Sequence, residues 1–313
     1  MRRLAVLLLL AVALALVPTA PASATTVTVH DGAEYRQAIT DLSADATGPH
    51  RIEVAVDVDL GDDDVPVYSS DQPLTLDGNG HTITGSAPWL LRNGLGSVTT
   101  LTIVDLTVDG LAAGVYPWLG KVVVRHSTFS GIGRGHPFAD TGHAIYVVRD
   151  DPTTAGELVL DDVDILGTRS RWQTIQASVI RGSDVRLLRN DALYATVVGE
   201  NVRLERSVVG RNLARTDATI LGRSLVLIDT VVQHNADLAA TPAPTIEGRR
   251  TVQLIRTTVR GNTALGAGRD QVAVLADDLV ARGATVRHPA RDCWVDGSVT
   301  ATNSTASDPS CGF

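Results

Sequence analysis

Aromatic residues are scarce, with 4 Trp, 5 Tyr and 3 Phe in 313 residues. That excludes a core built around large rings and leaves a narrow interior of Val, Ile and Leu. Cysteine is confined to Cys293 and Cys311, both in the last stretch of the chain. A terminal disulfide is the natural reading of that pair; a metal pair, which lacks histidines at ligand spacing, and two free thiols, which export disfavours, are the alternatives. Closing a loop of that length contributes about 3 kcal/mol in the chain-entropy model. Lysine is reduced to Lys121, the other basic residues all being arginine, a bias of coding more than a site. Acid exceeds base, for a net charge of −8, which argues against nucleic acid as a partner. Beyond the first residues no apolar run is long enough to span a bilayer.

What is present begins with an export signal. Arg2 and Arg3 precede the unbroken apolar run Leu4 to Val17, and Ala22-Ser23-Ala24 supplies the small residues of a cleavage site. The run is shorter than the roughly 20 residues of a spanning helix and is followed by Pro18 and Pro21, so cleavage is expected over anchoring. Residues 1–24 are therefore expected to be removed, and the mature chain to start at Thr25. Loss of Arg2 and Arg3 leaves 25 basic against 35 acidic residues, a net charge of −10.

The main signal is a repeat. An apolar-x-apolar triplet, a few polar residues, a second apolar pair and then Gly or Asn recur as LTIVDLTVDG from Leu101, VVVRHSTFSG from Val122 and LVLDDVDILG from Leu158. They recur again as VRLERSVVGRN from Val202, LVLIDTVVQHN from Leu225 and VQLIRTTVRGN from Val252, with weaker copies from Leu74, Val185 and Leu279. Successive starts are 27, 21, 36, 27, 17, 23, 27 and 27 residues apart, as for one solenoid turn per copy. Each half-unit is too short for a helix, is rich in β-branched residues and alternates with period two. A third apolar pair, such as Ala144-Ile145, Thr219-Ile220 or Thr245-Ile246, gives three short strands per coil. Stacked coils bury a shared aliphatic core that one coil cannot.

Asn212, Asn235 and Asn262 each follow a valine by three, and stacking would let their amides bond one another and the turn backbone. Gly110, Gly131 and Gly167 hold the neighbouring turn position in earlier copies, where a positive φ suits glycine. A solenoid needs its edges covered. Asp31 to Leu42 predicts a capping helix, with Asp31 as N-cap, Glu34 three residues on, and Tyr35, Ala38, Ile39 and Leu42 on one face. At the other end the Cys293–Cys311 loop would clamp the last coil. The expected organisation is a signal peptide over 1–24, an N-terminal strand and capping helix over 25–48, a parallel β-helix over 49–290 and a disulfide loop over 291–313.

With GAEYRQAI from Gly32, LTLDGNGHTITGS from Leu74, the VxxN-ended coils and the Cys-to-DPSC tail, the chain resembles secreted bacterial right-handed parallel β-helix repeat proteins. It is similar in particular to those sharing repeats with chlamydial polymorphic outer-membrane proteins, within the pectate-lyase-like superfamily. Gly142-His143-Ala144-Ile145 stands for that group's Gly-Gly-Ala-Ile strand, and Val takes the place of Phe in its FxxN strand. The resemblance implies a fold and an extracellular location; its motifs are structural and imply no activity.

Candidate chemistry is scattered. Arg287-His288-Pro289-Ala290-Arg291 is one residue short of the R-x-P-x-x-R element that the resemblance to pectate lyases would imply. Asp57, Asp59 and Asp62-Asp63-Asp64 are oxygen-rich enough for Ca²⁺ but lack an EF-hand spacing, and a solvated acidic turn is the simpler reading. Asp161, Asp162 and Asp164 offer the paired acids of a hydrolase or, equally, outward solubilising positions. The irregular stretch Gly133 to Gly156 carries His136, Asp140, His143, Arg149, Asp150 and Asp151, and with His126 could supply a general base or metal ligands; a polar loop with incidental histidines is the plainer account. Trp118 and Trp172 have the flat apolar faces that stack on sugar rings, or that cover turn corners.

Clear scaffold signals without a matching catalytic set lead to one expectation: a non-catalytic secreted β-helix protein. It would present an extended surface for carbohydrate binding, adhesion or cell-wall association. The alternative is a polysaccharide lyase or glycoside hydrolase, and only that alternative calls for a cofactor, Ca²⁺. The expected partner is a polysaccharide or another cell-surface component, met by a monomer outside the cell or on its surface. No catalytic or metal-binding residue is assigned.

Overall fold

The computed structural model describes residues 24–94, 100–116, 120–136, 142–147, 156–237, 243–264, 272–289 and 291–313. Residues 1–23, which hold most of the expected export signal, lie outside them. So do Trp118, Asp140, Arg149, Asp150 and Asp151.

The apolar-x-apolar triplets stack in parallel register. One column runs Leu74, Leu101, Val122, Leu158, Ile180, Val202, Leu225, Val252 and Leu279. Every one of these side chains is at most 2% exposed. The second apolar pair makes another column from Ile83 through Phe129, Leu187 and Val232 to Val286. The third runs from Leu91 through Val115, Ile145, Ile175 and Val197 to Val274 and Cys293. Three inward columns closing on one aliphatic core make a right-handed parallel β-helix of about 10 turns. Later coils add a fourth ladder, of two-residue strands at Arg169–Ser170, Asp191–Ala192, Leu213–Ala214, Ala236–Asp237 and Thr263–Ala264.

The copy read from Val185 starts instead at Ile180, which pairs with Leu158 and Val202, while Val185 pairs with Val163, two residues before Leu187 of the second column. The spacings of 27 and 17 are therefore 22 and 22. The triplet Ile180-Arg181-Gly182 hides its pattern because glycine stands where neighbouring coils have Leu160 and Leu204. A Cβ there would lie 2.7 Å from Leu204 Cδ2 and 2.9 Å from Val185 Cγ2, so the neighbours already fill the space.

Coils turn at residues in the left-handed region. Gly110, Gly131 and Gly167 hold one such position at φ 79°, 63° and 61°; Arg189, Arg211 and His234 hold it in later coils. Next to it runs a buried amide ladder: Asn190 Nδ2 donates to Asn212 Oδ1, Asn212 to Asn235, and Asn235 to Asn262, each at 3.0 Å. The same three nitrogens donate to the Ile165, Leu187 and Val209 carbonyls of the coil before, and Asn262 Nδ2 donates to Val232 O.

The predicted helix spans Gly32–Ala44, two residues beyond Leu42. Asp31 Oδ1 accepts from Glu34 N at 2.8 Å, and Glu34 Oε2 accepts from His30 N at 2.7 Å. Tyr35, Ala38, Ile39 and Leu42 sink into the core, and Tyr35 Oη donates to Leu90 O at 3.0 Å. At the far end Cys293 and Cys311 form a disulfide across 18 residues. The chain between them is a further coil, since Val299–Thr302 and Thr305–Ala306 pair with the strands before them. None of the described helices is long and apolar enough to cross a membrane.

Candidate functional site

Most of the acidic and histidine candidates are held by local partners. Asp57 accepts from Thr82 N and Asp59 from Gly61 N, each at 2.8 Å; Asp63 lies 3.4 Å from Arg36 and Asp64 2.7 Å from Arg92. Among the described residues no three His, Cys, Asp or Glu side chains converge as a metal site. Asp162 occupies a bend at φ 53° and so separates Asp161, which accepts from Ser183 Oγ, from Asp164, which accepts from Arg186 at 2.9 Å. The two outer carboxylates stand in different columns of the solenoid. Burial pushes the Asp164 carboxyl up, Arg186 opposes this, and Asp162 adds to it.

The three histidines go to three different partners. His126 sits at a bend with Nδ1 3.4 Å from Asp105, His136 Nε2 is 3.1 Å from Gly110 O, and buried His143 donates from Nδ1 to Gln173 O at 2.7 Å. The Arg287–Arg291 segment, whose Ala290 is outside the described residues, builds the corner of a late coil. His288 N donates to Asp292 Oδ1 at 2.6 Å, and fully buried Asp292 also accepts from Ser307 Oγ and Asp308 N. These hydrogen bonds tie the corner to the C-terminal coil.

The surface with distinctive chemistry lies over the fourth ladder. Outward positions of successive coils place Arg169 beside Asp191, and Arg171 beside Leu193. The next coil brings Arg215, whose Nε and Nη2 donate to the two Asp191 oxygens at 2.8 and 2.7 Å. That bidentate pair holds the Arg215 guanidinium above its ordinary pKa. Gly133, His136, Arg169, Arg171, Asp191 and Arg215 border a cavity of about 520 Å³. A second, of about 640 Å³, continues from Arg171 and Leu193 to Trp172 and Tyr194. Arg134 lies over Gly167 at the rim, and exposed Arg189 and Arg211 follow on the adjoining bend. Arg215 is paired with Asp191, and Arg134, Arg169, Arg171, Arg189 and Arg211 add positive charge to this part of a chain of net charge −8.

Trp172 is 45% exposed, and its ring stacks on Tyr194 with centroids 5.3 Å apart and planes at 9°. One coil of 22 residues separates the two, and Tyr194 N donates to Trp172 O. Two of the residues singled out in the sequence, His136 and Trp172, thus fall on one face. Tyr194, Arg169, Arg171, Asp191 and Arg215 were not legible. The 22-residue interval would have aligned Trp172 with Tyr194, but the glycine-masked copy at Ile180 hid it.

No family model and no curated protein sequence matches the chain. Among solved structures it is similar to the Streptococcus pneumoniae surface protein and adhesin PfbA, at 10% identity, over 90% of this chain and 98% of that one, with a TM-score of 0.30. A likeness at that score carries no argument about what this chain binds.

Proposed function

We propose that this is a non-catalytic exported β-helix protein that binds acidic polysaccharide on the face formed by Trp172, Tyr194 and the arginines around Asp191. The observation that carries the reading is the exposed Trp172 ring stacked on half-buried Tyr194 at the edge of an arginine-lined cavity. Flat ring faces suit the apolar faces of sugar rings, and guanidiniums suit carboxylate or sulfate groups. The export-type N-terminus and the closed Cys293–Cys311 pair support an extracellular setting, in which the protein acts as a monomer in the medium or at the cell surface. Within this reading the chain is a distant relation of the pectate-lyase-like β-helix proteins that uses the scaffold for recognition. Asp161 and Asp164, already engaged by Ser183 and Arg186, do not favour a hydrolase reading.

The test is binding of the full mature chain to uronic, sulfated and neutral polysaccharides, with product release followed in the same samples. The reading expects binding to the acidic polymers alone, weakened by salt and lost in Trp172→Ala, without release of unsaturated or reducing products. Product release, or equal binding to neutral polymers, would overturn it.

A further inference from the structure

A second aromatic stack lies on the outside of the neighbouring sheet. Leu91, Val115 and Ile145 point inward in one column, so the residues beside them face out, and there Tyr116 and Tyr146 stack with centroids 5.0 Å apart and planes at 8°. Trp89 packs against Tyr116 with centroids 5.1 Å apart and planes tilted by 53°. The two stacks are joined. The His143 ring lies 4.4 Å from that of Tyr146 and is tied through Nδ1 to the carbonyl of Gln173, the residue after Trp172. Five of the chain's nine Trp and Tyr residues therefore sit on five successive coils, three on one face and two on the adjoining one, with the buried His143 between them. At about 4.8 Å per coil, four steps give roughly 19 Å, longer than a disaccharide.

We infer that the binding face extends from Tyr194 and Trp172 across to Tyr146, Tyr116 and Trp89, and that it takes the interior of a long polysaccharide chain. The inference rests on the polysaccharide reading of the Trp172 face and deepens it. The rings lie on the outer face of a sheet, so each stack can contact only one side of a passing chain. Affinity must then come from several weak contacts in a row, the acidic groups being met at the arginine end and the outward edges and hydroxyls of the packed rings beyond it. A single sugar or a chain end would engage one stack alone.

The experiment measures affinity against acidic oligosaccharides of increasing length for the wild type, Tyr146→Ala and Trp172→Ala, with thermal unfolding recorded for each. Wild-type affinity should rise with length. Tyr146→Ala should cost about tenfold for long chains and less than about twofold for short ones, whereas Trp172→Ala weakens all lengths. Should Tyr146→Ala unfold at lower temperature, Tyr146→Leu keeps an apolar cover without the aromatic edge and hydroxyl and is held to the same outcome. Long-chain affinity within about twofold of wild type in a folded Tyr146 variant would overturn the extended face while leaving the Trp172 reading intact. Absence of binding at any length, or indifference to Trp172→Ala, would overturn the reading itself and the extension with it.

Discussion

At the scale of single residues, His143 shows how burial sets chemistry. Its ring is 3% exposed, packed on Tyr146 and donating to Gln173 O. Burial pushes its pKa down to about 4, only partly opposed by that hydrogen bond. In the unfolded chain a histidine titrates near 6.5. Between those values the unfolded state binds more protons than the native one, so stability rises with pH. The contribution is whole above about pH 6.5 and is lost progressively as pH falls to about 4. Denaturant unfolding across that window should show wild-type stability falling more steeply than that of His143→Gln, by about 3 kcal/mol over the full range. Equal slopes would mean that the ring is solvated in the native state. Sequence placed His143 in a loop with possible catalytic use; only its neighbours in space make it a buried, neutral linker.

Among the elements, the amide ladder repeats one bond pattern from coil to coil. Asn235 accepts from the backbone and side-chain nitrogens of Asn212, and donates to Asn262 Oδ1 and Val209 O. Truncating it strands donors and acceptors on both neighbouring coils inside the core. Asn235→Ala should therefore cost about 3 kcal/mol in urea unfolding. A loss under about 1 kcal/mol would show that water replaces the amide. The VxxN copies made three rungs legible. Asn190 was missed because its copy was read from Val185, and Thr168, which donates to Asn190 Oδ1 at 2.8 Å, because it is not an asparagine.

Over the whole molecule, coils contact mainly their neighbours, so stability is a sum of local interfaces and the ends are where it runs out. The Cys293–Cys311 bond closes the last described coil, with Cys293 buried in the third inward column. Replacing both cysteines by alanine should lower stability by about 3 kcal/mol. Hydrogen exchange should locate the loss, with protection falling at Val299–Thr302 and Thr305–Ala306 before it falls at Glu157–Leu166. Uniform loss of protection would mean that the solenoid unfolds as one cooperative unit.

The sequence by itself determined the solenoid, the helix over its first coils, the left-handed turn glycines and three rungs of the asparagine ladder. Each of these is written in local periodicity or in one residue's backbone preference, repeated often enough to be read. It carried the disulfide only as an expectation from compartment and position. Register at Ile180 and the face joining Trp172, Tyr194, Arg169 and Arg215 were decided by tertiary structure. A glycine can replace a core leucine when the next coil fills the space, and side chains a full coil apart in sequence become neighbours only once stacking fixes how long each coil is.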